Sequence, residues 1–329
     1  MVDMKVVFMG TPDFAVPALQ ILLDRRYSLQ AVVTQPDRPK GRGRSTAPPP
    51  VKILAEEYGL LVLQPESVRQ KAVIEILRSL APDVILVVAY GQILPESILN
   101  IPALGCINIH ASLLPKYRGA APIHWAIIRG ESETGITTMF MDSGMDTGDI
   151  LLKRALPIGP YDTTGSLHNS LSHMGAEVLI ETLKQLEAGT LNRLPQNEEL
   201  ATYAPMLKKE DGLIDWREPA TTLHRKIRGL FPWPGAYTYF QGKMLKLLEV
   251  VPGEKTLAEI GDFRPGEVLD GDSADGPVIA CGEGCLRIVQ IQPQNKKAMK
   301  CSDFCRGYHL ITGARLGNEE RKSEWSRTT

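Results

Sequence analysis

An asparagine and a histidine stand two residues apart in the segment Cys-Ile-Asn-Ile-His-Ala-Ser-Leu-Leu-Pro-Lys-Tyr-Arg-Gly, residues 106–119. Apolar residues alternate with the pair, and in an extended strand residues i and i+2 point to the same face. Asn108 and His110 should therefore converge on one small volume. A carboxamide can donate N–H bonds to an oxygen that becomes negative, and an imidazole can bind that oxygen or move a proton near neutral pH. The pair predicts chemistry at an acyl centre that needs no metal, although a lone histidine is also compatible with a structural role.

A second polar segment, Met-Asp-Ser-Gly-Met-Asp-Thr-Gly-Asp at residues 141–149, resembles a cation-binding loop at first sight. A calcium-binding EF-hand loop requires glycine at its sixth position and glutamate at its twelfth. Counted from Asp142, those positions hold Thr147 and Lys153. We therefore reject calcium, and we interpret Asp142 and Asp149 as turn and cap residues, a common use of aspartate beside glycine.

Taken together, these two segments resemble a known family. Residues 106–119 resemble the signature of formyltransferases that use 10-formyltetrahydrofolate, and residues 141–149 resemble the aspartate loop of the same family. The segments Phe-Met-Gly-Thr-Pro-Asp-Phe-Ala (8–15) and Ala-Ala-Pro-Ile (120–123) also fit. The resemblance runs through most of the chain and is greatest to the members that formylate the α-amino group of initiator methionyl-tRNA.

The resemblance implies a catalytic set of Asn108, His110 and Asp146. In the implied reaction a neutral α-amine attacks the formyl carbon on N10 of the folate. Asn108 and His110 stabilise the oxygen, while Asp146 orients His110 and assists proton transfer to the departing nitrogen. An aminoacyl α-amine titrates at about pH 7–8, so no strong base is needed. The resemblance also implies a folate pocket lined by Ser112, Leu113, Leu114 and Pro115.

The first half of the chain alternates strand-like and helix-like patterns. Short β-rich runs occupy residues 5–9, 29–34, 61–63 and 83–89, with helical patterns at about 15–25, 50–58 and 68–80. This order predicts a doubly wound, Rossmann-like α/β domain with a mostly parallel sheet, whose ligand lies at the carboxyl ends of the strands. The turn at residues 10–15 lacks the three glycines of a dinucleotide site, which argues against an NAD-dependent dehydrogenase.

Residues 35–50 form a long connection rich in proline and glycine, which we expect to form no regular element. The connection carries four cations, Arg38, Lys40, Arg42 and Arg44. By composition it is either a solvated loop or an arm that binds phosphate and becomes ordered on binding. Its resemblance to the insertion loop of the tRNA-formylating members favours a tRNA-binding arm.

The second half changes character after a helical stretch at residues 163–188. We predict a formyltransferase catalytic domain at 1–189, a linker at 190–206 and a C-terminal domain at 207–329. Hairpin-like strands at 235–251, 266–270 and 277–292 suit a small β-barrel, preceded by a helix at 221–228, and a basic cluster lies at 296–300. The resemblance implies that this domain is OB-like and binds tRNA.

Bulk composition is that of a globular protein of 329 residues, with 43% hydrophobic and 23% charged residues. The net charge of −1 gives no global reason to expect a nucleic-acid partner, so local basic patches would have to hold one. Neither a signal-peptide pattern nor an apolar run of about 20 residues is present, so we expect a cytoplasmic protein without membrane contact. We expect it to be a monomer.

Four of the five cysteines form two C-x3-C pairs, Cys281/Cys285 and Cys301/Cys305. A four-thiolate zinc site is one interpretation of these pairs, but structural zinc pairs more often have two intervening residues. Buried small hydrophobic side chains are the preferred interpretation. The resemblance implies no metal.

The predicted function is transfer of the formyl group from 10-formyltetrahydrofolate to methionyl-tRNA. Two alternatives stay open beside the dehydrogenase. One is another formyl-folate enzyme, either a transferase acting on an amino sugar or a hydrolase domain of formyltetrahydrofolate dehydrogenase. The other is a non-catalytic RNA-binding protein, which would leave Asn108, His110 and Asp146 without a role.

Overall fold

A computed structural model describes residues 4–40, 45–253 and 263–317 of the chain. These residues divide into two compact units. The first comprises the described parts of Met1–Pro122, Glu133–Pro157 and Ser166–Pro205, and the second comprises Ile123–Ser132, Ile158–Gly165 and the described residues from Met206 onward. The second unit therefore includes two short segments from the first half of the sequence.

The strands of the first unit are β1 (Lys5–Gly10), β2 (Ser28–Val33), β3 (Arg38–Lys40), β4 (Ser45–Ala47), β5 (Val62–Leu63), β6 (Val84–Val88), β7 (Cys106–His110), β8 (Arg118–Gly119), β9 (Glu133–Phe140), β10 (Ile150–Pro157) and β11 (Tyr203–Ala204). The helices up to residue 187 are α1 (Val16–Asp24), α2 (Pro50–Glu57), α3 (Lys71–Ser79), α4 (Glu96–Leu99), α5 (Pro122–Arg129) and α6 (Thr164–Glu187). Short 3-10 helices occupy Asp13–Ala15 and Glu198–Leu200.

The central sheet of the first unit has, among the described residues, seven strands in the order β10-β9-β7-β6-β1-β2-β5. The five strands from β7 to β5 run parallel, whereas β9 and β10 pair antiparallel at one edge. In β1 and β6 five consecutive residues are buried, as expected for strands covered on both faces. The prediction of a mostly parallel, doubly wound sheet is confirmed. The antiparallel edge was not predicted.

The predicted helices and strands of this unit lie where the sequence pattern placed them, to within about three residues at either end. Strand β6 ends at Val88, and the chain then turns sharply, with positive φ angles of 48° at Ala89 and 89° at Gly91. This turn leaves Tyr90 at the carboxyl edge of the sheet, next to the end of β7.

The prediction that residues 35–50 contain no regular element was wrong. Strands β3 and β4 pair antiparallel, with Pro39 opposite Thr46. A two-stranded ribbon tolerates proline because both of its strands have a free edge. At a free edge the absent N–H group of proline costs no hydrogen bond between strands. The base of the ribbon is anchored by Asp37, whose carboxylate accepts from Gln64 Nε2 at 2.7 Å and from Lys52 Nζ at 2.9 Å. These two donors hold the pKa of Asp37 below its usual range.

The second unit contains an antiparallel sheet, as predicted for the C-terminal region. Its strands are β12 (Ala236–Phe240), β13 (Lys243–Pro252), β14 (Val268–Asp270), β15 (Val278–Ala280), β16 (Cys285–Pro293) and β17 (Met299–Lys300). The order among the described residues is β12-β13-β16-β15-β14, with β17 also on β16. Helix α7 (Ala220–Gly229) contacts β13, and α8 (Cys301–Tyr308) follows β17.

Segments from the first half of the sequence are hydrogen-bonded within this unit. The Oγ1 of Thr164 donates to the carbonyl of Gly229 at 2.7 Å, and Arg228 donates to the carbonyl of Asp162. A chain cut near residue 206 would remove both partners. The limits 1–189, 190–206 and 207–329 therefore remain a prediction about independently folding parts.

All five cysteines are buried, and none forms a disulfide bond. Burial raises the pKa of the Cys281 thiol to about 12 and that of Cys106 to about 12, so neither is a ready thiolate. In residues 4–40, 45–253 and 263–317 no group of three or more His, Cys, Asp or Glu side chains could hold a metal ion. No described helix is long and apolar enough to cross a membrane.

His224 on α7 should make the protein sensitive to acid. Its Nε2 is buried without a hydrogen-bond partner among the described residues, and burial, with the charges of Arg228 and Arg225, lowers its pKa to about 4. In the unfolded chain a histidine has a pKa of about 6.5. Between about pH 4 and 6.5 the unfolded state therefore binds more protons than the folded state does. The free energy of unfolding should fall as the pH drops from about 6.5 towards 4. Urea denaturation across this range measures it.

The variant His224→Gln should lose less stability over the same pH range, because glutamine binds no proton. His173→Gln, which changes an exposed histidine on α6, is the matched control and should behave as the wild type does. If His224→Gln and the wild type lose stability in parallel, His224 does not cause the acid sensitivity.

Candidate active site

Asn108 and His110 lie on β7, in the middle of the sheet. Asn108 is in register with Val87 of the parallel neighbour β6, and His110 lies opposite Thr137 of the antiparallel neighbour β9. The alternation of a strand turns both polar side chains to one face, and the buried Ile109 between them points to the other. Because β7 is paired on both sides, its backbone fixes where the two side chains start.

Asp146 lies in the connection between β9 and β10. Within this connection the carboxylate of Asp142 accepts from the backbone N–H of Gly144 at 3.0 Å and from Thr147 Oγ1 at 2.6 Å, which is the turn role predicted for it. A Cβ on Gly148 would lie 1.9 Å from a backbone oxygen of Phe140, so a side chain does not fit there. Asp146 itself has a φ of 56°. Such left-handed residues cost about 1–3 kcal/mol and persist only where their surroundings hold them.

The carboxylate of Asp146 meets three nitrogen atoms. Its Oδ2 accepts from the backbone N–H of Gly119 at 2.8 Å and lies 3.6 Å from Nδ1 of His110. Its Oδ1 lies 3.5 Å from Nδ2 of Asn108. The structure thus brings together Asn108, His110 and Asp146, the three side chains predicted to form the catalytic set, and their catalytic role remains a prediction.

The other ring nitrogen of His110 indicates which tautomer is present. Nε2 lies 2.9 Å from the backbone carbonyl of Tyr117, and a carbonyl can only accept, so Nε2 carries a hydrogen. In the neutral ring Nδ1 is then a bare lone pair facing Asp146. One further proton placed between Nδ1 and Asp146 turns this arrangement into a hydrogen-bonded ion pair. The pair can therefore take up and release a proton beside Asn108.

The residues predicted to line a folate pocket form an anchored turn just beyond β7. Thr137 Oγ1 donates to the carbonyl of Ser112 at 2.6 Å and accepts from the backbone N–H of Leu114 at 3.1 Å. The side chains of Ser112 and Leu114 are buried, whereas Leu113 and Pro115 are half-buried. The folate role of these four residues remains a prediction.

The four cations predicted to bind tRNA are described only in part. Arg38 is exposed on β3, and its Nη2 lies 3.4 Å from Oε1 of Gln35. Lys40 is the last residue of β3, and its side chain is not described. Arg42 and Arg44 lie outside the described residues. The tRNA role of all four remains a prediction.

Tyr90 adds a backbone acceptor at the carboxyl edge of the sheet. Its carbonyl accepts from Thr11 Oγ1 at 2.9 Å and from Gln35 Nε2 at 3.3 Å. Its ring is buried, the hydroxyl has no hydrogen-bond partner among the described residues, and burial raises the pKa of Tyr90 to about 12. Residues following β1, β2 and β6 are therefore linked beside the end of β7, where a doubly wound sheet binds its ligand.

A buried cation lies next to this site and was not predicted from the sequence. Arg118 is fully buried and donates to both carboxylate oxygens of Glu198, at 2.8 and 2.7 Å. Glu198 raises the pKa of Arg118, and Arg118 lowers the pKa of Glu198. The guanidinium also donates to Gln196 at 3.1 and 2.8 Å. Arg118 was visible within the first motif, but its partners lie about 80 positions away, in the expected linker.

Two family models match the chain. One, described as formyl transferase, matches residues 4–183, and the other, described as formyl transferase, C-terminal domain, matches residues 206–309. Together these matches cover most of the chain.

Relatives with assigned names are similar over almost the whole sequence. The methionyl-tRNA formyltransferase of Geobacter metallireducens is 54% identical over 318 residues, covering 97% of this chain and 100% of the relative. That of Geotalea uraniireducens is 53% identical over 320 residues, with 97% and 100% covered.

Solved structures share the fold at low sequence identity. HypX from Aquifex aeolicus in complex with tetrahydrofolic acid matches with a TM-score of 0.62 and 20% identity, over 92% of this chain and 47% of that one. An N-formyltransferase from Helicobacter canadensis, in complex with folinic acid and dTDP-3-aminofucose, matches with a TM-score of 0.62 and 18% identity, over 88% and 99%. Identities this low support the fold alone, whereas the family models and the relatives above 50% identity show that the chain belongs to the formyl transferase family.

Proposed function

We propose that this protein transfers the formyl group of 10-formyltetrahydrofolate to the α-amino group of methionyl-tRNA. The observation that carries the proposal is the convergence of Asn108 and His110 on the carboxylate of Asp146. The choice of acceptor is supported by relatives that are more than half identical over their whole length and are named methionyl-tRNA formyltransferases.

The donors on β7 act on the oxygen of the formyl group. As the amine attacks, this oxygen gains negative charge, and N–H groups held in place stabilise it without having to reorganise. Nδ2 of Asn108 and Nδ1 of His110 face the same small volume, since both lie about 3.5 Å from one carboxylate. Nδ2 is a donor from the start, and Nδ1 becomes the second donor once it has accepted the proton that the amine loses. The site therefore presents two donors and needs no metal to polarise the carbonyl.

The His110–Asp146 pair handles the proton. Attack makes the amine nitrogen positive, so it must lose a proton, while N10 of the folate must gain one as the C–N10 bond breaks. A pair that can hold one proton between Nδ1 and a carboxylate can accept the first and supply the second. The hydrogen bond from Nε2 to the carbonyl of Tyr117 keeps the ring oriented throughout.

The ribbon formed by β3 and β4 supports the tRNA part of the proposal. It presents Arg38 to solvent and is anchored at its base by Asp37, so its backbone has a defined direction. We infer that it is the stem of an arm on which Arg38, Lys40, Arg42 and Arg44 contact phosphates. The C-terminal unit then contributes to tRNA binding, and the enzyme works as a cytoplasmic monomer.

A single assay tests the proposed function. The full-length protein is incubated with 10-formyltetrahydrofolate and either methionyl initiator tRNA or a panel of amino sugars, and the formylated product is identified. We expect formylmethionyl-tRNA. Formylation of the sugars alone, or release of formate without an acceptor, would contradict the proposal.

Loss of any of the three converging side chains should lower kcat and leave the fold intact. Removal of an oxyanion donor costs about 10²–10³-fold, and removal of a positioned acid or base about 10²–10⁴-fold. We therefore expect losses of these sizes for Asn108→Ala, His110→Ala and Asp146→Ala, measured by steady-state kinetics on charged tRNA. Double variants should lose much less than the product of the single losses, because the groups act as a unit. Near-normal turnover of His110→Ala would refute the mechanism.

Arg42→Ala should lower kcat/KM for charged tRNA. It should also make the slope of log(kcat/KM) against log salt concentration less steep, by about one unit. The reason is that one phosphate contact is lost and the aminoacyl end is less well placed. Folate binding should barely change. Arg69→Ala, which removes an exposed cation outside the arm, is the matched control and should keep the wild-type slope. Identical values for Arg42→Ala and the wild type across a salt series would show that the arm does not bind tRNA.

A further inference from the structure

The side chain of Gln196 has a fixed orientation. Its Oε1 accepts two hydrogen bonds from the buried Arg118, from Nε at 3.1 Å and from Nη2 at 2.8 Å. A guanidinium can only donate, so the amide oxygen must face Arg118 and the NH₂ group must face away from it. A flipped amide would direct its N–H groups at a cation.

The NH₂ group of Gln196 binds the loop that carries Asp146. It donates to the backbone carbonyl of Asp146 and to that of Gly148, each at 2.8 Å. These carbonyls lie on either side of Thr147, and the first belongs to the residue with the left-handed φ of 56°. Two bonds from one rigid amide therefore fix the backbone from which the Asp146 carboxylate projects.

We propose that Gln196 is a positioning residue for formyl transfer, which acts by holding Asp146 at the distance from His110 and Asn108 that the reaction needs. The inference rests on the proposed function, because Asp146 must be held in place only if it takes part in catalysis. Arg118 has the supporting role of fixing the amide.

The arrangement indicates more than packing around Arg118. The guanidinium already has a full counter-charge, since both oxygens of Glu198 bind it. The amide oxygen accepts from Nε and Nη2, and a carboxylate oxygen at the same place would do so equally well. What only an amide supplies is the pair of N–H bonds to the loop.

Gln196→Glu separates these two roles. Glutamate keeps an oxygen towards Arg118 and replaces the NH₂ group by a second oxygen, which cannot donate to the carbonyls of Asp146 and Gly148. We expect kcat to fall about 10- to 100-fold, the size of loss that follows a small misplacement of a catalytic group. The KM for folate and for methionyl-tRNA should stay within about twofold, because neither substrate touches Gln196 in this scheme. Gln196→Met has a side chain of similar length that cannot donate a hydrogen bond. It should likewise lower kcat and leave both KM values within about twofold.

Asn197→Asp is the matched control for charge. It introduces the same negative charge one residue along and keeps the oxygen that accepts from the backbone N–H of Glu199 at 3.0 Å. It has no bond to the Asp146 loop, so we expect wild-type kcat. A kcat loss in Asn197→Asp equal to that of Gln196→Glu would assign the effect to charge and overturn the inference.

A double-mutant cycle with Asp146→Asn tests whether Gln196 acts through Asp146. In that background Gln196→Glu should cost little further, because the group being positioned is already disabled. If the two losses multiply, Gln196 acts elsewhere and the inference is wrong. If the wild type formylates methionyl-tRNA but Gln196→Glu and Gln196→Met keep full kcat, only the positioning role fails. If the wild type does not formylate methionyl-tRNA, the proposed function fails and this inference with it.

Discussion

A carboxylate on a loop must be held against two side-chain nitrogen atoms on a strand, and the rest of the site depends on this contact. The two side chains are well fixed, because β7 is hydrogen-bonded to a neighbour on each side. The carboxylate is not, since connecting loops are the most mobile parts of a domain. The fold reduces this problem by pairing β9 with β7, so the loop starts beside Ile107, one residue from Asn108. The N–H of Gly119 then binds the carboxylate of Asp146 directly, at 2.8 Å.

The charges near the site are paired in a way that leaves Asp146 to Asn108 and His110. A buried guanidinium is costly unless it is compensated, and Arg118 takes Glu198 as its counter-ion. Asp146 is then bound by a backbone N–H, an amide and an imidazole, none of which carries a permanent charge. The protonation of His110 therefore changes the net charge around Asp146, which is what a group that exchanges protons requires.

Local periodicity was enough to predict the pair on β7, because the alternation of a strand depends only on neighbouring residues. Asp146 came from resemblance, since spacing cannot show that a loop 36 residues further on folds back over a strand. The contacts of Arg118 with Gln196 and Glu198 span 78 and 80 positions, and no sequence period reports contacts of that range. The β3–β4 ribbon does not follow from composition, because a segment rich in proline predicts irregular structure, whereas a two-stranded ribbon has two free edges where proline fits.

The discontinuous second unit bears on how the protein is made. A ribosome delivers the chain from its N-terminus at about 5–20 residues per second. Residues 5–157 supply every strand of the seven-stranded sheet, so that sheet is complete in the nascent chain before the antiparallel sheet has begun to emerge. Residues 158–165 emerge early as well, but two of the groups that bind them, the carbonyl of Gly229 and the guanidinium of Arg228, are translated later. During synthesis this segment must wait for its partners, so the second unit finishes folding only after α7 has left the ribosome.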